Sequence, residues 1–397
     1  MTDPRLTETI MGHVRALSAI GPRPPTGEGE KQAARYVREQ LDRLNLADIR
    51  EQPFVAPSTS GWKTIPPALL LAAGSILAGG DRMSKLLGGF TTLFGLWTQR
   101  EAQSANPVIP VFSEMSDSQN VIAKIRSSGE TRHTLYLIAH LDTDRQRLTA
   151  LPPLSPVFRL LNTAAITLNL ISAVSMIWDS LLGLRGTNRV QRLAQAVNMG
   201  QLALHLLEEQ SQPYVEGAND NASGVGALLA LADCLKADPL EHTEVVLLFT
   251  GAQETFNDGL QVYLDRFAPS RDLSTFIDID GVGAGDVAYV TRQGLSLFAD
   301  TRPSPHITAL AAATARKRPE LQVAGRELTV MNAVINLARQ GYAAVGVTAV
   351  GSDGAPPHRH QISDTLVNVE PETPTRAVEY ILALAREVDA AAAEKAK

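Results

Sequence analysis

Two histidines and several carboxylates fall at the ends of predicted strands, and that placement points to metal chemistry. His140-Leu-Asp142 closes one apolar run, Gly217-Ala-Asn-Asp-Asn-Ala-Ser-Gly224 opens a helix, and Gln253-Glu254 follows a buried strand. Asp280 closes the next strand, and His360-Gln-Ile-Ser-Asp364 follows the last. In open α/β sheets, ligand sites lie outside the carboxyl ends of the strands. Imidazoles and carboxylates converging there suit a borderline-hard cation such as zinc. Each piece alone is uninformative, since His-x-Asp recurs by chance and an Asp at a strand end is often a helix cap. Their order and their common place at strand ends carry the signal.

The elements that must position these residues alternate. Ile10, Val14, Leu17 and Ile20 predict a helix over 5–20, and Ala33, Ala34, Val37, Leu41 and Leu44 predict another over 28–46. The Gly- and Pro-rich run 21–27 separates them. Strands are predicted at 120–125, 134–139, 244–250, 274–279 and 344–350, with helices at 224–235, 260–267 and about 373–388. This alternation predicts an α/β three-layer sandwich with a mostly parallel central sheet.

In this order the residues resemble the co-catalytic di-zinc aminopeptidases, the family of aminopeptidase Y, bacterial leucyl aminopeptidase and the glutaminyl cyclases. The resemblance begins at Ser18-Ala-Ile-Gly-Pro-Arg23, runs through Gln32-Ala-Ala-Arg-Tyr36 and reaches the C-terminal helix, with 217–224 its most diagnostic part. It implies a zinc-exopeptidase-like fold and two Zn2+ ions. His140 and Asp280 would bind one ion, Glu254 and His360 the other, and Asp220 would bridge them. Asp142 would orient His140 through its second ring nitrogen. Two such ions, about 3.5–4 Å apart, polarise a scissile carbonyl and activate a water. The implied activity is cleavage of N-terminal residues or short peptides, on peptide or aminoacyl substrates. His360 lies four residues before Asp364-Thr365, as the family's last ligand does, and His358 does not. His13, His133, His205, His242 and His306 have no such context.

One position departs from the family, in which two adjacent glutamates follow the buried strand. The first is the general base and the second a ligand; here the pair is Gln253-Glu254. Gly259 supports the register, while Phe256 stands where the family has an earlier glycine. A neutral amide cannot take the proton, and general-base catalysis is typically worth about 10²–10⁴-fold. The expectation is a hydrolase with impaired or altered catalysis, with Asp258 or Asp353 as substitute bases. The alternative is a catalytically silent metal- or peptide-binding relative tethered at a membrane. Gly281-Val-Gly-Ala-Gly-Asp286 lacks the third correctly spaced glycine of a dinucleotide fingerprint and is expected to be a mobile loop beside the site.

Across its 397 residues the chain is 44% hydrophobic with a net charge of −6. This excludes a disordered polymer and, without a basic block, argues against a nucleic-acid partner. The one cysteine, Cys234, excludes an internal disulfide and sits in an apolar helical run as a small hydrophobe. The N-terminus lacks the basic patch and apolar core of a secretory signal.

The hydrophobic share is uneven: 65–98 and 155–184 stand out. They belong to two insertions, 57–105 and 146–212, in a single zinc-peptidase-like domain over 1–397 whose remainder is about 280 residues. Each half of the first is shorter than the roughly 20 residues that span a bilayer. In the second, 160–178 is 19 residues without a charge. Because His140 and Asp220 flank that insertion and must meet, it crosses a membrane an even number of times, zero included. The stretch 191–207 is too polar for a return crossing. Two apolar helical hairpins on or partly in a membrane surface are therefore expected. Arg145, Arg147, Arg185, Arg189 and Arg192 would face anionic headgroups, with the catalytic domain on the cytoplasmic side. A hydrophobic cap over the site, or an interface in a homo-oligomer, is the other reading of the same segments.

Overall fold

Uninterrupted aliphatic runs form the middle of an eight-stranded sheet ordered β1-β2-β4-β3-β5-β8-β6-β7. The computed structural model describes residues 3–102, 114–151 and 154–394. β1 spans Ala47–Pro57, β2 Met115–Ile125, β3 His133–His140 and β4 Thr243–Thr250. β5 spans Ser274–Ile279, β6 Asp286–Gln293, β7 Ala324–Leu328 and β8 Ala343–Val350. The neighbours β4, β3, β5 and β8 run parallel, and β6 pairs parallel with β7. β1 with β2, β2 with β4 and β6 with β8 are antiparallel, so the sheet is mixed with a parallel centre.

Strands covered on both faces read as continuous apolar runs. In β3, Leu135, Leu137 and Ala139 pack toward one helical layer and Tyr136 and Ile138 toward the other. The first layer holds α1 (Pro4–Ser18), α2 (Glu28–Arg43), α7 (Gly224–Ala237), α9 (Pro305–Lys317) and α11 (Glu372–Glu394). The second holds α8 (Asp258–Phe267) and α10 (Ala333–Arg339). α1 buries the stripe Ile10, Val14 and Leu17, and Asp3 caps it by accepting from Arg5 N at 2.9 Å. The strands β1, β6 and β7 and the helices α9 and α10 add to the elements expected from sequence. Cys234, on α7, is half-buried rather than fully enclosed.

Both apolar segments form helical hairpins. α3 (Gly61–Ile76) turns into α4 (Arg82–Glu101), and α5 (Ser155–Leu182) into α6 (Arg189–Ser211); residues 103–105 of the expected first insertion lie outside the described residues. α3 packs on α4 and α6, and α5 on the same two, giving a four-helix bundle. Gly74 lets α3 approach α4, because a Cβ there would lie 2.5 Å from Thr92 Oγ1. The hairpin tips meet: Arg82 Nε donates to Ser180 O at 2.8 Å, and Lys85 Nζ to Gly186 O at 2.5 Å. All four connections to the sheet leave from the opposite end. Val157–Leu182 has the length and mean hydropathy, 1.7, of a membrane span, yet only 28% of its most apolar window is buried.

Candidate metal centre

The sheet's register brings the chemistry-bearing residues together. His140 ends β3 opposite Thr250, which ends β4 just before the Gln253-Glu254 turn. Asp280 follows β5 directly, Asp220 sits in the buried turn before α7, and His360 lies in the loop after β8. His140 Nε2 is 3.0 Å from Asp220 Oδ1 and 3.6 Å from Asp280 Oδ1. His360 Nε2 is 3.2 Å from Glu254 Oε1 and 3.4 Å from Asp220 Oδ2. Asp220 thus turns one oxygen toward each imidazole. Two sets of side chains lie close enough to hold a cation, His140 with Asp220 and Asp280, and Asp144 with Glu254 and His360. Asp144 was not singled out by sequence. His358 instead meets Ser363 Oγ, at 2.9 Å.

The turn carrying Asp220 is fixed from several sides. Asp364 accepts from Asn219 N at 2.6 Å and Asp220 N at 3.0 Å, a role its sequence position did not disclose. Gly217 has φ 68°, and a Cβ there would lie 2.2 Å from Thr143 Cγ2. The residues after β5 are pinned to the same turn: Gly283 N donates to Asn219 Oδ1 at 2.6 Å and Val282 N to Ser223 Oγ at 3.1 Å. With Val282 and Ala284 buried, 281–285 is a fastened turn and not the mobile loop expected.

Asp142 does something other than expected. Its carboxylate accepts from Gln253 N at 3.0 Å and Glu254 N at 2.8 Å. His140 Nδ1 lies closer to Asp142 O, at 3.0 Å, than to the carboxylate, at 3.5 Å. Two buried amide donors in the turn need an acceptor more than the imidazole does, since a main-chain carbonyl already serves it. Glu30, on α2, supports the same turn by accepting from Ala252 N at 2.6 Å. Burial, and then the charge of Asp142, push the Glu30 carboxyl up to about 8.

Burial opposes charge on His140, but hydrogen bonds to Asp142, Asp220 and Asp280 outweigh it and hold the imidazole well above its usual value. Burial likewise opposes ionisation of Asp220, yet Arg359, His140 and His360 pull its carboxyl far below the usual range. Glu254 is raised, by burial first. Burial and the neighbouring Asp220 push Asp364 up to about 7. Asp220 Oδ2 is buried and accepts no hydrogen bond, with Arg359 Nε 3.3 Å away. An orphaned carboxylate oxygen among imidazoles and further carboxylates is the donor set that zinc takes. The residues fit two such ions.

Neither candidate substitute for the missing base is free. Asp258 accepts from Lys63 Nζ at 2.6 Å and Thr255 Oγ1 at 2.7 Å. Asp353, in the exposed part of the loop after β8, accepts from Ala355 N at 3.1 Å and belongs to neither cation-sized set. Asp144 is held by the Arg147 guanidinium at 2.6 and 2.7 Å and by Arg145 N at 2.7 Å. Arg145 and Arg147 therefore do not face headgroups. Arg147 is committed to Asp144, Glu209 and Ser60, and Arg145 stacks 4.2 Å from the Tyr214 ring centre.

Arg23 ties the N-terminal segment to this centre. Only 1% exposed, it donates to Leu141 O at 2.9 Å, Glu216 O at 2.8 Å and Gly217 O at 2.8 Å. Burial brings its guanidinium down to about 10. Arg23→Met strands those carbonyls and is expected to destabilise the chain by about 3–5 kcal/mol in urea unfolding. A loss near zero would contradict this role.

Comparison with known proteins agrees with this geometry. Residues 199–385 match the model of peptidase family M28. A 108-residue stretch is 25% identical to the putative endoplasmic reticulum metallopeptidase 1-A of Caenorhabditis elegans, covering 25% of this chain and 12% of that protein. The chain thus spans about an eighth of that relative's length. A Zn-dependent exopeptidase from Parabacteroides distasonis superposes with TM-score 0.55 at 13% identity, over 95% of this chain and 96% of the other. A zinc aminopeptidase from Bacillus subtilis gives 0.57 at 14%, over 96% and 95%. Tannerella forsythia glutaminyl cyclase gives 0.54 at 14%, over 96% and 98%. At these identities the superpositions establish the fold. The chain has the zinc-exopeptidase fold and, through the peptidase family M28 match over 199–385, its resemblance to the co-catalytic zinc aminopeptidases holds.

Proposed function

We propose that the chain is a di-zinc hydrolase of the aminopeptidase type, acting on N-terminal residues or short peptides, with turnover held down by Gln253. The observation that carries this reading is the division of the two Asp220 oxygens between His140 and His360. His140, Asp280 and one Asp220 oxygen would hold one Zn2+; Glu254, His360 and the other oxygen would hold the second. When bound, the ions supply Lewis-acid polarisation of the scissile carbonyl and lower the pKa of the attacking water. Gln253 offers that water an amide that can orient it but cannot take its proton. Arg359 offsets part of the negative charge of the surrounding carboxylates. The silent-relative alternative rests on Gln253 as well. Release of an N-terminal residue from aminoacyl amides by zinc-loaded parent and Gln253→Glu chains separates the two, because a silent relative releases none in either form.

The bundle's outer surface supports a membrane role. Leu87, Phe90 and Trp97 on α4 and Ile171, Val174 and Trp178 on α5 are exposed. These two helices pack together, so their outward residues make one apolar side. The tip carries Arg82, Arg185, Arg189 and Arg192, suited to anionic headgroups. α4 and α5 then lie along the lipid surface with the sheet on the cytoplasmic side, as the basic tip favours. The full chain is expected to sediment with phosphatidylserine-containing vesicles, and Phe90→Glu with Val174→Glu to leave it in the supernatant. Sedimentation that ignores this double change, or a parent chain that stays in solution, would remove the membrane reading.

A further inference from the structure

We propose that the helical bundle is part of the second cation pocket, and that Asp144 and Arg147 are the positioning residues that tie His360 to it. This rests on the di-zinc reading above.

The two pockets are supported differently. In the first, His140 is oriented by Asp142 O at 3.0 Å, and Asp280 N is bonded to Val347 O at 3.1 Å, so the sheet and its own turns hold them. In the second, both ligands are fastened to the bundle. His360 directs Nε2 toward Glu254 and Asp220, and its opposite nitrogen, Nδ1, lies 3.4 Å from Asp144 Oδ2. The ring nitrogens point apart, so Asp144 cannot share an ion bound through Nε2. It stands behind the imidazole, where a carboxylate fixes the ring's tautomer and angle and raises its basicity.

Asp144 is fixed in turn by the Arg147 fork, whose remaining donors reach the bundle. Arg147 Nη1 donates to Glu209 Oε1 on α6 at 2.6 Å, and Nη2 to Ser60 Oγ, at the start of α3, at 2.6 Å. Arg147 N also donates to His360 O at 2.9 Å, which holds His360 at φ 52°. Gly61 makes room for this junction, because a Cβ there would lie 2.4 Å from the Glu209 carboxylate carbon. Glu254 is fastened separately. Lys63 of α3, 4% exposed, donates to Thr255 O at 2.7 Å and to Asp258 at 2.6 Å.

The test is calorimetric titration of the chelator-treated full chain with Zn2+, for the parent, Asp144→Asn and Arg147→Lys. In Asp144→Asn, one of two binding events weakens about 10–100-fold while the other keeps its affinity. Arg147→Lys keeps the charge, loses the planar fork, and shifts the same event in the same direction by less. Titration with Co2+ supplies a spectroscopic readout: the visible bands of one ion change and those of the other do not. Unchanged affinities, or equal weakening of both events with altered bands for both ions, would overturn the proposal. A parent chain that binds fewer than two ions would overturn the di-zinc reading itself, and that failure is visible before any variant is compared.

Discussion

The zinc-loaded Gln253→Glu chain releases the N-terminal residue of a short peptide about 10²–10⁴-fold faster than the parent. The two side chains have nearly the same size, and the turn that presents them is already set. Asp142 accepts from both Gln253 N and Glu254 N, Glu30 holds Ala252 N, and Lys63 holds Thr255 O. The exchange therefore alters the capacity to take a proton more than it alters position. Because the proton moves only on the way to the transition state, kcat rises and KM stays near its parent value. The variant also gains an acid limb in its pH profile, with rate lost as pH falls through the pKa of the new carboxyl. Rates within twofold of one another would mean that the base lies elsewhere or that the chemistry is not hydrolysis.

Asp220→Asn is expected to abolish the response of stability to zinc. Ions that bind the folded chain alone stabilise it by about 2.7 kcal/mol per site at a free concentration one hundred times Kd. Urea unfolding of the parent with zinc, and again with a chelator, reads this difference directly. The Asp220 oxygens face His140 at 3.0 Å and His360 at 3.4 Å, so one exchange removes an anionic ligand from both positions. The variant's zinc and chelator curves then coincide. Comparing each chain with itself keeps any change in metal-free stability out of the result. A variant that still gains as much from zinc as the parent would place the ions elsewhere.

The centre of the fold was legible because its strands are enclosed on both faces. Leu135–Ala139 and Val245–Phe249 are continuous apolar runs, and the polar residue that ends each run marks the sheet's carboxyl edge. The outer strands gave no such contrast. β7 is Ala324–Leu328 with Arg326 and Glu327 exposed, and α10 is seven residues long, too short to show a helical period. The hairpins were legible from their apolar excess, but their mutual packing was not. It depends on side chains such as Asn169 and Asn198, which meet at 2.9 Å across 29 residues of sequence.

The site divided along the same line. His140, Asp220, Glu254, Asp280 and His360 each sit beside a strand end or a recognisable turn, so local pattern exposes them. Asp144, Arg147 and Asp364 take their roles from partners far along the chain: Arg147 from Glu209, and Asp364 from Asn219. Nothing in their immediate sequence distinguishes them from surface charges. The arginines assigned to lipid illustrate the cost, because Arg147 is enclosed in an ion network that local sequence does not reveal.

The central claim is that one chain holds two zinc ions in a site that lacks only its base. It is tested most directly by the zinc retained per full-length chain after saturation and exhaustive dialysis, measured by elemental analysis. The account predicts two ions per parent chain and two per Gln253→Glu chain. A parent chain that retains one ion or none would contradict it.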